Sequence, residues 1–196
     1  MEISIAVEGQ TDDAVLRRVA AHVGVVVGRA YPARGREKLL AKLRAYAEAA
    51  RHSPWLVVWD LDQSAECAPS FLRSLSETPT ASFRLRIAVR SVESWLLADH
   101  VAFGAFFGVS APRIPVQPES LARPKETLLN LCRESTHRHI REGVPPPAGS
   151  AVAVGPGYVS TLLEFVGTAW VPDRAALRSP SLAGTIRAMA SLRAPR

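Results

Sequence analysis

Cysteine, lysine and long apolar runs are all scarce in this chain, and each scarcity excludes something. Its two cysteines, Cys67 and Cys132, lie far apart and in no metal-ligand spacing. That argues against a disulfide framework and a cysteine zinc site, and for reduced thiols in a cytoplasmic protein. No uninterrupted apolar stretch approaches the roughly 20 residues that span a bilayer. The opening MEISIAVEG carries an acid at position 2 and no basic leader, so no targeting segment and no membrane partner are expected. A glycine-rich loop ending in GK[ST] is missing, so any ATP-driven step needs a second chain. With only three lysines, the net charge of +6 is carried almost wholly by arginine. Such a balance fits a polyanionic partner such as nucleic acid, and equally a solvated surface.

What is present is ordinary globular material. At 196 residues, 47% hydrophobic and 21% charged, the chain can bury a core unaided. Strand and helix signals alternate through the first half. Glu2 to Val7 is a short apolar run. After the EGQTD turn, Val15, Leu16, Val19, Ala20 and Val23 recur at helical spacing, with Thr11 or Asp12 as cap and Gly24 as stop. GVVVGRAY reads as a second strand, and Leu39, Leu40, Leu43, Ala47 and Ala50 as the stripe of a second helix. WLVVWD is continuously apolar, as a central parallel strand covered on both faces should be. A third helix is expected around Pro69 to Leu75. Phe83, Leu85, Ile87 and Val89 then alternate with Arg84, Arg86 and Arg90, predicting a fourth strand with a more exposed basic face. Ser91 stands where it can cap the next helix, VESWLLAD.

The βαβαβαβα order predicts an α/β fold with a doubly wound, mainly parallel sheet. Beyond about residue 110 the chain turns Pro-rich and then helical. The expected organisation is an α/β domain over 1–110 and a mainly helical extension over 111–196 packed on it. Helices are expected from about Lys125, over Tyr158 to Gly167 and over Ser181 to Leu192, with REGVPPPAGSAVAVGPG as a loop. Trp55, Trp59 and Trp95 occupy apolar periodic positions and read as core. His137 and His139, two apart, do not share a helical face and read as polar surface rather than a zinc site.

The acids carry the chemistry. Parallel strands all end at one edge, where ligands collect. Glu8 follows the first strand, Asp60 ends the third, Asp62 sits two beyond it, and Glu93 follows the fourth. If the first and third strands are neighbours, these carboxylates converge. Clustered carboxylates repel and resist desolvation, and a hard divalent cation answers both problems. Asp62 lies i+2 from Asp60, on the same side of an extended segment, with Leu61 facing away. Asp12 reads as a helix-capping acid or an outer acid acting through water. Lys125, after a proline at a helix start, is placed to meet a phosphate. Arg29, Arg34, Arg36, Lys38, Lys42 and Arg44 form a basic stretch near the same edge, and Arg90 ends the basic strand.

VEGQTDD and VVWDLD resemble the two signature motifs of the Toprim superfamily of primases, topoisomerases and OLD-family nucleases. More closely, VEGQTDDAVL, VVWDLD, SVESWLLAD, the RPK of Arg123 to Lys125, GYVSTLLEF and SPSLAGTI resemble a bacterial Toprim-like family, the domain of unknown function four-two-seven-six. The resemblance implies ligation of Mg²⁺ (or Mn²⁺) by Glu8, Asp60 and Asp62, with Glu93 and Asp99 supporting or extending the site. Lys125 would assist catalysis, and Arg34, Arg36, Arg90 and Lys125 would hold the substrate. The implied activity is a Mg-dependent phosphodiester hydrolase, a nuclease on DNA or RNA, in phage defence beside a partner ATPase. The alternative is a non-catalytic Toprim-like subunit of such an ATPase complex. A receiver or haloacid-dehalogenase reading matches poorly, because the first strand ends in Glu-Gly.

Overall fold

The computed structural model describes residues 1–33, 35–61, 70, 72–73, 75 and 77–192. Four strands, β1 (Glu2–Val7), β2 (Val26–Pro32), β3 (Trp55–Asp60) and β4 (Phe83–Ala88), form one sheet in the order β2-β1-β3-β4. Every neighbouring pair is parallel. Helix α1 (Gln10–His22) links β1 to β2, and α2 (Arg36–Ala41) and α3 (Leu43–Ala49) lead to β3. The chain winds outward from β1 to β2 and then crosses back to β3. The direction therefore reverses between β1 and β3, and the crevice of the fold opens at their carboxyl ends.

Strand alternation divides the core in two. Ile3, Ile5 and Val7 of β1, with Leu56 and Val58 of β3, face α1 and α4 (Val92–Ala98). Ala6, Trp55, Val57, Trp59, Phe83, Leu85 and Ile87 face Leu39, Leu43 and Tyr46 of α2 and α3. Helices on both faces make the sheet doubly wound, as the βα alternation predicts. The tryptophans are core: Trp59 and Trp95 are fully buried, and Tyr46 stacks on Trp55 with centroids 5.1 Å apart.

After α4 come α5 (His100–Phe107), short 3₁₀ turns at Ala111–Arg113 and Pro118–Ser120, α6 (Pro124–Arg133), α7 (Arg138–Gly143), α8 (Tyr158–Thr168), α9 (Pro172–Ala176) and α10 (Pro180–Ala190). One cluster of buried side chains runs from Ile5 and Leu16 through Leu96 to Leu128 and Phe165. The C-terminal helices thus extend the layer on the α1 side of the sheet.

Several local expectations change. The second predicted helix is two, because the backbone leaves helical geometry at Lys42 (φ −99°, ψ 1°) while Leu39 and Leu43 both remain buried. The more exposed basic face expected of β4 is present, with Arg84 and Arg86 half-buried where Phe83, Leu85 and Ile87 are buried, but α10 packs beside it and the Arg86 Nε is buried without a partner. Burial, and then the nearby Arg84 and Arg187 charges, pull the Arg86 guanidinium below its ordinary value. Helices α5 and α7 carry no stripe that the sequence reading caught. In the third predicted helix, around Pro69 to Leu75, Ser70, Leu72 and Arg73 are helical, and positions 69, 71 and 74 lie outside the described residues. His137 and His139 do meet, with stacked rings 5.8 Å apart, because His137 precedes α7 in extended backbone and escapes helical spacing.

Candidate functional site

The paired register of β1 and β3 ends at Ala6 and Val57. Beyond that pair the Glu8 side chain takes over from the ladder, its Oε1 accepting the Asp60 N–H at 3.0 Å. Asp60 Oδ1 in turn accepts the Val92 N–H at 3.1 Å, at the start of α4. Two carboxylates therefore lock together the ends of β1 and β3 and the beginning of α4. Of the four acids expected to converge, Glu8 and Asp60 are joined, through the Glu8 carboxylate and the Asp60 backbone N–H, while Asp62 lies outside the described residues.

Asp60 does what Ser91 was expected to do. Ser91 holds the N-cap position in extended backbone but makes no side-chain cap. Its Oγ is buried and has no hydrogen-bond partner. Glu93, in the first turn of α4, is 7% exposed, and its Oε1 accepts a 2.6 Å hydrogen bond from the Tyr158 hydroxyl of α8. Burial, reinforced by the Glu93 charge, pushes the Tyr158 hydroxyl well above the usual phenol range, so it stays protonated and donating. The Lys125 Nζ sits 5.0 Å from the centre of the Tyr158 ring, within cation–π range. Tyr158 was missed as a site residue. Only its place in the GYVSTLLEF segment pointed to it, and no spacing rule pairs residues 65 apart.

Asp12 occupies the third position of α1 and is 7% exposed. Its carboxylate hydrogen-bonds the Gly9 N–H, closing the first turn from inside as a capping-box acid does. The cap position itself belongs to Gly9, not to Thr11 or Asp12. A Cβ at Gly9 would lie 3.2 Å from Asp12 Oδ2, so a side chain here would crowd that contact. Asp12 Oδ1 is buried with no partner.

Burial, and then the charges of Glu93 and Glu8, push the Asp12 carboxyl from 3.8 up to about 7. The sign of the linkage follows. As pH rises, the unfolded chain gives up this proton first, so the contribution is fully present below pH 3.8, declines toward about 7 and stays lost above it. In chelator-containing buffer, Asp12→Asn should remove a fall in stability across that window. Denaturant melts of both proteins at stepped pH read it. Parallel stability curves would show that Asp12 ionises normally.

Arg90 has a φ of 62°, the one positive value outside glycine among the described residues. A side chain there costs roughly 1–2 kcal/mol of backbone strain. Arg90 lines an open cavity of about 480 Å³ with Asp60, Ser91, Glu93, Arg123 and Lys125. Arg90→Gly should therefore be more stable than Arg90→Ala, reversing the usual deficit of roughly 0.5–1 kcal/mol for glycine. Chemical denaturation of the two variants decides it, and Ala equal to Gly would mean the turn relaxes without cost.

The remaining expected site residues divide. Lys125 is exposed and joins the cavity. Asp99 is buried, but its bonds run to Arg174, the Val171 N–H and the Ala102 N–H and not to the other acids. Arg36 opens α2. Arg34 and Asp62 lie outside the described residues. Nearby, Arg29 places its guanidinium 5.4 Å from the Tyr31 ring centre. Among the described residues no group of three or more His, Cys, Asp or Glu is arranged to hold a metal ion. No described helix is long and apolar enough to cross a membrane. No protein-family model, no curated protein and no solved structure matches this chain.

Proposed function

We propose that this chain is a Mg²⁺-dependent (or Mn²⁺-dependent) phosphodiester hydrolase acting on nucleic acid, with a Toprim-like site at the switch point of its sheet. The observation that carries the reading is the direct Glu8–Asp60 contact at the carboxyl ends of adjacent parallel strands, beside buried Asp12 and Glu93.

The donor chemistry fits such a cation. The site is all-oxygen, and the buried Asp12 Oδ1 has no hydrogen-bond partner within the protein. Glu8 and Asp60 would hold the ion, with Asp62 as the third ligand that the resemblance implies and Glu93 beside them. When bound, the ion supplies charge neutralisation and water activation. The chain's own residues do the rest. Glu8 pins β3 to β1, and Asp60 orients α4. Tyr158 holds Glu93, and Lys125 and Arg90 stand across the cavity to meet a phosphate.

Purified protein is expected to cleave single- or double-stranded DNA or RNA only with Mg²⁺ or Mn²⁺. No cleavage with either metal, alone or with an ATPase that co-purifies from the native host, sinks the reading. One observation favours the alternative of a non-catalytic subunit: Glu8 and Asp60 each engage a backbone N–H, work that a purely structural carboxylate also does.

A further inference from the structure

The two edges of the sheet end differently. The outer edge of β2 is blunted. Its register against β1 slips between Ile3 and Ser4, Arg17 Nη1 donates to the Val27 carbonyl at 3.1 Å, and Pro32 has no N–H to offer. The outer edge of β4 is closed only at its ends. There the Phe83 N–H and carbonyl bond to Thr80, and the Val89 N–H donates to the Ser181 hydroxyl at 3.2 Å. Trp55 donates to the Ser82 carbonyl and Leu61 to that of Ala88, so the even-numbered positions from Ser82 to Ala88 turn their backbone groups toward β3. Leu85 and Ile87 turn theirs outward, and neither has a hydrogen-bond partner on that side among the described residues.

The two faces beside this open edge differ in chemistry. On one, Leu72 and Leu75 pack, half-buried, against the cluster that holds Leu85 and Ile87. On the other, Arg84 and Arg86 stand near Arg187 of α10. None of these three arginines has an acidic partner among the described residues. An open cavity of about 490 Å³ takes in both chemistries: Leu72, Leu75 and Leu85 line it with Arg73, Arg84 and Arg86, against one carboxylate, Glu77. It shares no lining residue with the cavity beside the acids.

We infer that the β4 edge is a docking site for an extended acidic segment of a partner protein, which adds a fifth strand to the sheet with acidic and apolar side chains in alternation. Leu85 and Ile87 offer the backbone donors and acceptors on which strand addition depends. Side chains of an added strand alternate between the two faces, so every second one meets the arginines and the rest meet Leu72 and Leu75. Charge selects this occupant over a second copy of the chain. Two β4 strands brought edge to edge would set Arg84 and Arg86 against the same arginines of the other copy, and like charges across a strand pair are destabilising. A nucleic acid would answer the arginines and leave the backbone groups and the apolar wall unused. The inference stands apart from the hydrolase reading, because no acid of the sheet switch point takes part in it.

Backbone amide exchange followed by nuclear magnetic resonance on the whole chain, with calorimetry alongside, tests it. The probes are an octapeptide alternating glutamate and valine, its lysine–valine counterpart, a peptide of the same glutamates and valines grouped in two blocks, and single-stranded oligothymidylate. The alternating acidic peptide should bind at least about tenfold tighter than either other peptide and slow exchange of the Leu85 and Ile87 amides at least about tenfold. Arg84→Glu combined with Arg86→Glu should reverse the preference toward the lysine peptide. The wild-type exchange readout stands whether or not that variant folds. Equal binding of the alternating and blocked acidic peptides, or binding without protection of Leu85 and Ile87, overturns the added strand and leaves a polyanion surface, as does oligothymidylate displacing the peptide with no protection of its own. Protection of both amides that rises with protein concentration alone assigns the edge to a second copy. Protection already complete in the free monomer shows the edge occupied and also overturns the inference.

Discussion

Asp60→Asn should abolish metal-dependent cleavage, by about a thousandfold or ~4 kcal/mol of transition-state stabilisation, and leave the fold close to wild type. The amide keeps an oxygen where Oδ1 accepts the Val92 N–H, so the lock between β3 and α4 survives while the ligand charge is gone. Asp60→Ala removes both. Deleting a helix-start acceptor costs about 0.5–2 kcal/mol, so lost activity in the alanine variant confuses a broken site with a loosened one. The same reasoning selects Glu8→Gln over Glu8→Ala, because the glutamine oxygen can still receive the Asp60 N–H. Calorimetry with Mn²⁺, denaturant melts and cleavage assays on Asp60→Asn form one experiment. Wild-type cleavage by the asparagine variant would reduce Asp60 to a structural acceptor and take the metal-holding role away from this carboxylate. Lost metal binding with intact stability would separate the electrostatic role of this carboxylate from its hydrogen-bonding role.

The sheet was legible because its signals are local. Alternation in FRLRIA, continuous burial in WLVVWD and the acids directly after two strands are each contained within a few residues, and parallel topology alone then brings the strand ends together. The details of the site were less legible, because they depend on contacts between distant segments. Ser91 looks like a cap in sequence, yet Asp60, 32 residues earlier, accepts the Val92 N–H. Tyr158 lies 65 residues from Glu93, and only the packing of α8 against the sheet's helical layer makes them partners. The arginines of β4 form its more exposed face, as their alternation predicts, but a sequence period cannot show that α10 returns to pack beside that strand. Asp99 was expected from its place in the SVESWLLAD segment to support the acids, and its hydrogen bonds run to the Ala102 N–H nearby and to Val171 and Arg174 in the last third of the chain.

That placement of Asp99 leads to the largest stability effect expected in the molecule. Its side chain is fully buried, and it accepts from Arg174 through both oxygens, Nε to Oδ1 at 2.9 Å and Nη2 to Oδ2 at 3.0 Å. The Val171 N–H adds a 2.9 Å bond, and the Ala102 N–H a 3.3 Å bond that caps α5. One carboxylate thus fastens the α4–α5 junction to the segment entering α9. Its bonds hold the Arg174 guanidinium above its ordinary value. Removing Asp99 strands the Val171 and Ala102 N–H groups at about 1–3 kcal/mol each, so Asp99→Ala should cost roughly 2–6 kcal/mol. Asp99→Asn should lose less, because one oxygen can still accept. Arg174→Ala should also lose less, since Arg174 is 45% exposed and both backbone donors remain on Asp99. A double-mutant cycle of Asp99→Asn with Arg174→Ala reads the coupling directly, and additive losses would deny the pair any special strength. Mn²⁺ affinity, measured on folded Asp99→Asn well below its melting temperature, decides between clamp and outer acid. Unchanged affinity assigns Asp99 to the clamp alone. A loss of tenfold or more, the scale of outer-shell metal partners, would mean that the clamp also sets the position of the acids at the sheet edge.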